Sequence, residues 1–222
     1  MRPFAAILEE AEFQAGGPDA LEAQLPQPKS GDALRSMGDD RYLSIMSQRI
    51  FRAGLKHSMV DARWPAFEAV FFDFEPGRVQ QMSDEALEAL LSDKRLIRHW
   101  GKIKSVRANA TVIHEIAAEK GNFGTYLANW PTERIVDLWA DLAKRCLQLG
   151  GNSAPYFLRM VGKDTFILTK DVVRALNRWR AFDGEPKRKA DQSTVQTAFN
   201  HWAREANRPL CQLSRILALS VG

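Results

Sequence analysis

Cysteine is scarce in this chain: of its 222 residues only Cys146 and Cys211 carry a thiol, and neither stands in a Cys-x-x-Cys pair. The four histidines, His57, His99, His114 and His201, lie at no zinc-ligand spacing from either cysteine. A structural zinc site is therefore not expected, and no motif for another metal or cofactor stands out. Two buried thiols in a reducing compartment are the simpler expectation. Long apolar runs are missing as well, because a charged residue interrupts every candidate before it reaches the roughly 20 residues a spanning helix needs. The opening MRPFAAILEEAEF turns acidic after its eighth residue, so no signal-peptide core is expected and a soluble, cytoplasmic protein is. No segment alternates apolar and polar residues for long enough to read as a strand, and there is no internal repeat or low-complexity tract.

What remains is helical periodicity almost throughout. Phe4, Ile7, Leu8 and Ala11 share one face of a first helix ending near Gly16-Gly17, and Leu25 to Gly31 reads as a linker. The spacing predicts further helices at about 39–53, 64–72, 84–91, 102–119, 133–149, 154–161, 170–179, 194–207 and 211–219. Ser83, Thr169 and Ser193 suit N-caps, Pro65 suits a first turn, and Gly121, Gly150-Gly151 and Gly162 fall where helices should stop. The fold class is all-α. Two domains are expected: residues 1–35 as an N-terminal helical extension and linker, and residues 36–222 as the main body.

The net charge is only +4, but it is unevenly spread. Lys94, Arg95, Arg98, Lys102, Lys104 and Arg107 follow one another with no acid between them. Such a stripe on an otherwise balanced chain points to a docking surface for a polyanion. Were the stretch continuously helical, Lys94, Arg98 and Lys102 would share a face. A break at Gly101 would instead put Lys102 and Lys104 at a helix start, facing outward. Either geometry presents cations to phosphates. Further on, Leu149-Gly-Gly-Asn-Ser-Ala reads as a tight turn between two helices, and the free N–H groups opening the second helix can hold a phosphate through Gly150, Gly151 and Asn152.

The run Phe71-Phe-Asp-Phe-Glu-Pro-Gly-Arg-Val-Gln-Gln-Met82, then Leu90-Leu-Ser-Asp93, Ile97-Arg-His-Trp-Gly-Lys-Ile103 and Asn109-Ala110 resembles the 3-methyladenine DNA glycosylase I family of the helix-hairpin-helix superfamily. Ala53-Gly54-Leu55 falls at the family's A-G-L position, and the likeness runs over about residues 41–180. It implies a helical DNA glycosylase-like bundle with a helix-hairpin-helix element. It also implies a base-excision-repair enzyme, a monomer of bacterial, nucleoid-associated type, whose partner is duplex DNA containing a damaged base. The activity implied is flipping of an alkylated, 3-methyladenine-like purine and hydrolysis of its N-glycosidic bond. The alternative is a non-catalytic DNA- or lesion-binding protein on the same fold. By the resemblance, Lys94, Arg98, Lys102, Lys104 and the Gly150–Asn152 turn contact DNA. Tyr42, Arg49, Phe51, His57, Trp64 and Trp100 fall around the base pocket, although each of the aromatic ones also suits a core.

The chain departs from the family at chosen points. Arg49 stands where the family has its pocket carboxylate, His57 where it has a pocket tryptophan, and its zinc ligands have no counterparts. The superfamily's helix-opening aspartate falls on Thr169, an N-cap candidate, with Asp171 two residues later. Asp171 also suits the first turn electrostatically, and it is the carboxylate expected to be catalytic.

Overall fold

The computed structural model describes residues 1–222. The chain forms fourteen α-helices and no strand: α1 (Phe4–Ala15), α2 (Pro18–Glu22), α3 (Gly31–Arg35), α4 (Asp39–Arg52), α5 (His57–Val70), α6 (Pro76–Val79), α7 (Asp84–Ala89), α8 (Trp100–Lys120), α9 (Phe123–Asn129), α10 (Ile135–Arg145), α11 (Ser153–Val161), α12 (Lys170–Arg178), α13 (Lys189–Ala206) and α14 (Leu210–Leu219). None is long and apolar enough to cross a membrane.

Local chemistry explains most boundaries. Ser83 Oγ accepts from Ala86 N at 3.2 Å and Thr169 Oγ1 from Val172 N at 3.2 Å, each satisfying one orphan donor of a first turn. Gly121 ends α8 at φ 91° and Gly162 follows α11 at φ 95°, conformations that a Cβ would strain. Two expected boundaries are corrected. α5 opens at His57, so Pro65 lies inside it rather than in its first turn. α13 opens at Lys189 under a reciprocal Arg188–Asp191 cap, which makes Ser193 an interior residue bonded to Lys189 O at 3.0 Å. The short helices α2, α3 and α9 carry too few periods to announce themselves in sequence.

The helices collect into two compact units. The first contains residues 1–29, 131–140 and 162–222; the second contains 30–130 and 141–161. The first 29 residues are thus no appendage. Phe4, Ile7 and Ala11 are buried, and Phe4 lies 6.1 Å, centroid to centroid, from the Trp202 ring of α13. An apolar stripe on one helix needs a partner, and the last two helices supply it.

The second unit is built on an aromatic cluster. Phe67 lies 4.6 Å from Phe51 and 5.0 Å from Trp64, and Trp64 stacks on Phe74 at 5.4 Å. Reaching this cluster forces the chain through three consecutive left-handed residues, Phe72, Asp73 and Phe74, at φ 54°, 53° and 62°. Each costs about 1–2 kcal/mol. Burial of Phe71 and Phe74, and a 2.6 Å hydrogen bond from Arg41 Nη2 to Asp73 O, offset that strain. Phe67→Ala should therefore destabilise the chain by about 3–5 kcal/mol in a denaturant titration, the range for emptying a filled aromatic site.

Candidate nucleic-acid interface and base pocket

The basic stretch is not one helix. α8 begins at Trp100, with His99 as its cap: the His99 Nδ1 accepts from Lys102 N at 3.3 Å. Lys94 and Arg98 precede the helix and are exposed, as is Lys104 on its first turns, and none of the three forms an ion pair within the chain. Two other cations of the stripe are already neutralised. Arg95 is bidentate to Asp93, and Arg107 is paired with Asp84. The surface left for a polyanion is therefore narrower than the raw count of positive residues.

Lys102 corrects the expectation of an outward phosphate contact. It is 8% exposed, and its Nζ donates to Ala53 O at 2.7 Å and Phe51 O at 3.2 Å. Those carbonyls belong to the end of α4, where the helix leaves acceptors unpaired and a cation meets the negative end of the dipole. Lys102 thus caps α4 from α8. Burial first, and then the charge of Arg49, lower its pKa from the ordinary 10.5.

The hairpin between α10 and α11 is held by the asparagine of the Asn109-Ala110 motif. Asn109, fully buried on α8, donates through Nδ2 to Leu147 O at 3.1 Å and accepts from Leu147 N at 2.8 Å. An asparagine amide replaces a backbone partner here and leaves neither of its polar atoms orphaned. Beyond this clamp, Gln148 and Gly151 adopt φ 65° and 56°, and Gly150, Gly151 and Asn152 stand exposed before α11 opens at Ser153. The signal for Asn109 was legible only as an amide set among apolar positions of one helix face.

Arg49 sits on the last turns of α4. Its Cζ lies 4.7 Å over the ring of Tyr156 on α11, and its Nε is buried without a hydrogen-bond partner. No carboxylate pairs with it, whereas neighbouring Arg52 is held by Asp61 at 2.7 Å. Burial lowers the Arg49 pKa, a Coulombic interaction with Tyr156 opposes that shift, and the charge of Arg52 adds to it. Nothing in the sequence spacing ties Tyr156 to Arg49.

Three of the aromatic candidates turn out to be core residues. Tyr42 is buried and donates to Leu34 O at 2.7 Å, while Phe51 and Trp64 belong to the aromatic cluster. Their ring faces are taken up by protein, which explains why they cannot stack on a base. Trp100, 36% exposed, and exposed His57 at the start of α5 keep free surface. All of these residues lie in the second unit, and Asp171 lies in the first.

Within that first unit Asp171 is exposed in the first turn of α12, 3.4 Å from Arg174. Asp164 and Glu75, by contrast, are committed to capping. Asp164 accepts from Leu210 N and Cys211 N at 3.0 and 2.8 Å, and Glu75 in the second unit accepts from Gly77 N and Arg78 N, both at 2.8 Å. No three His, Cys, Asp or Glu side chains converge as a metal site would require.

Replacing Lys102 by Met should cost about 1–3 kcal/mol, because two carbonyls lose their donor. A lysine with a depressed folded-state pKa leaves fewer protons on the folded than on the unfolded chain. Stability therefore rises with pH from that depressed value up to 10.5, and this alkaline gain should vanish in Lys102→Met. Lys104→Ala should instead leave stability alone and lower the salt slope of DNA binding by about one unit. Denaturant titrations against pH and binding against salt separate the two.

Residues 34–148 match the family described as Methyladenine glycosylase. A stretch of 59 residues is 37% identical to DNA-3-methyladenine glycosylase 1 of Escherichia coli (strain K12), covering 27% of this chain and 32% of that protein, so the match spans about a third of the relative's length. Among solved structures, 3-methyladenine DNA glycosylase I from Staphylococcus aureus is similar with a TM-score of 0.51 at 20% identity, over 70% of this chain and 90% of that one. The Methanocaldococcus jannaschii 8-oxoguanine glycosylase/lyase, in complex with a 15mer DNA containing 8-oxoguanine, gives 0.56 at 15% identity over 96% and 95%. At such identities these two likenesses speak for the fold, that of the helix-hairpin-helix DNA glycosylases. The family match, which spans just over half of the chain, carries the kinship, and by it this protein belongs to the methyladenine glycosylase family.

Proposed function

We propose that the chain is a base-excision-repair N-glycosylase that extrudes an alkylated purine from duplex DNA and hydrolyses its N-glycosidic bond, with the 3-methyladenine-like base as the family's reference substrate. The family match over residues 34–148 is the observation that carries this reading. Exposed, unpaired Lys94, Arg98 and Lys104 and the Gly150–Asn152 turn would hold phosphates, which positions the duplex without reading its sequence. Trp100 supplies an exposed ring for a flipped base. Asp171, exposed in the first turn of α12 and 3.4 Å from Arg174, is the carboxylate assigned here to stabilise the developing positive sugar or to activate water.

A second reading has its own support. Thr169 occupies the superfamily's acid position and serves as an N-cap, which favours a lesion-binding protein that grips DNA without cutting. Base release from alkylated duplex DNA, set beside binding to an abasic-site analogue, separates the two: release supports the enzyme, and tight binding without release supports the binder. For the enzyme, Asp171→Asn should keep the fold, since the residue is exposed, and lower single-turnover base release by ~10²-fold or more. Full activity in a folded Asp171→Asn variant would remove this residue from the chemistry.

A further inference from the structure

The cap of α8 differs in kind from other caps in the chain. Ser30 on α3, Ser83 on α7, Asn122 on α9 and Thr169 on α12 all cap through a short oxygen acceptor. These residue types cap best, because a small oxygen reaches the first-turn amides directly. At α8 an imidazole takes their place, with His99 Nδ1 accepting from Lys102 N at 3.3 Å. A nitrogen that accepts carries no proton, so the ring's one proton sits on the other nitrogen. The cap thereby fixes the tautomer. It leaves Nε2–H as a donor on an exposed side chain, with no hydrogen-bond or ion-pair partner in the chain.

The surroundings of that donor are cationic and aromatic. Arg98 precedes it and Lys94 lies earlier in the same loop, both exposed and without an ion pair. Trp100, 36% exposed, and Lys104 are four residues apart on α8 and share one face of it. The hairpin between α10 and α11 reaches the same place. A Cβ on Gly101 would stand 3.4 Å from His99 Cε1 and 3.9 Å from Gln148 Nε2, so the imidazole and the Gln148 amide border one glycine. Gln148 is exposed, adopts φ 65°, and follows the Leu147 backbone that Asn109 clamps. All of these residues belong to the second unit.

We propose that His99 is a phosphate contact: its neutral Nε2–H donates to a phosphodiester oxygen of duplex DNA where the start of α8 meets the hairpin. The proposal rests on the DNA-binding half of the reading above and adds a residue to it. Lys94, Arg98 and Lys104 supply attraction, because each phosphate they neutralise releases counterions. A neutral donor releases none. It supplies direction instead: a single N–H, oriented by the bond its own ring makes to the helix, meets the strand in one register. A serine or threonine at this position would close the helix and reach no further.

The test measures binding of the full chain to a lesion-free duplex across a salt series, beside thermal melting. His99→Ser keeps an oxygen for the cap and deletes the outward donor. Melting should therefore hold while affinity falls about tenfold at every salt concentration, with the slope unchanged. Lys104→Ala, by contrast, should lower the slope by about one unit. In the wild type, imidazole nitrogen NMR shifts should place the His99 proton on Nε2, and that signal should move when the duplex is added. This measurement needs no variant, so it decides the matter if His99→Ser fails to fold. Wild-type affinity in a folded His99→Ser variant makes His99 a cap alone and overturns the proposal. A slope lowered by about one unit also overturns it, since the contact would then be an imidazolium. So does a proton found on Nδ1. A wild type that binds no duplex even at low salt removes the DNA-binding reading itself, and this contact with it.

Discussion

The ammonium of Lys102, set against the carbonyls that close α4, is the contact that fixes the end of α4 against the start of α8. It joins the end of α4 to the start of α8, so the residues one turn to either side inherit their positions from it. Arg49 precedes the capped carbonyls on α4, and Trp100 and Lys104 flank the lysine on α8. The bond also sets a local electrostatic tension. Lys102 and Arg49 repel one another, and each is held at a lowered pKa, chiefly by burial. A carboxylate at position 49 would relieve that tension, and this chain has a guanidinium there.

A second constraint is the amide of Asn109. Two hydrogen bonds to the backbone of Leu147 tie the hairpin to the middle of α8, the longest helix. Asn109 is fully buried, so neither bond is exchanged easily for water. The exposed glycines beyond the clamp supply conformational freedom, and the clamp restricts where that freedom begins. The hairpin's base is thereby fixed while its glycines stay exposed.

Charge on this protein works by subtraction. Arg95 and Arg107 are consumed by Asp93 and Asp84, Lys102 by a helix end, and Arg52 by Asp61. Lys94, Arg98 and Lys104 remain for the solvent, and Arg49 lies half-buried on the Tyr156 ring. Some acids are committed in the same way: Asp164 and Glu75 cap helices, while Asp171 stands exposed beside Arg174.

The sequence by itself determined the helical class, most helix ends and the family. Periodicity, capping hydroxyls and glycines are local, and the F-x-x-F-[DE]-P to N-A run is a string of residue types that survives without coordinates. It also marked Arg49 as foreign to its position. Only the tertiary structure decided which members of those strings face a ligand. Tyr42, Phe51 and Trp64 look like stacking aromatics until they are seen buried, with their rings against Phe123, Phe67 and Phe74 or one another. Lys102 reads as a surface cation until the carbonyls of a helix some fifty residues earlier are placed beside it. The division of the chain into two units, with its first 29 residues packed among its last helices, was likewise hidden. Burial, pairing of charges and helix-end capping depend on which distant groups meet in space, and a one-dimensional pattern records only which groups are available to meet.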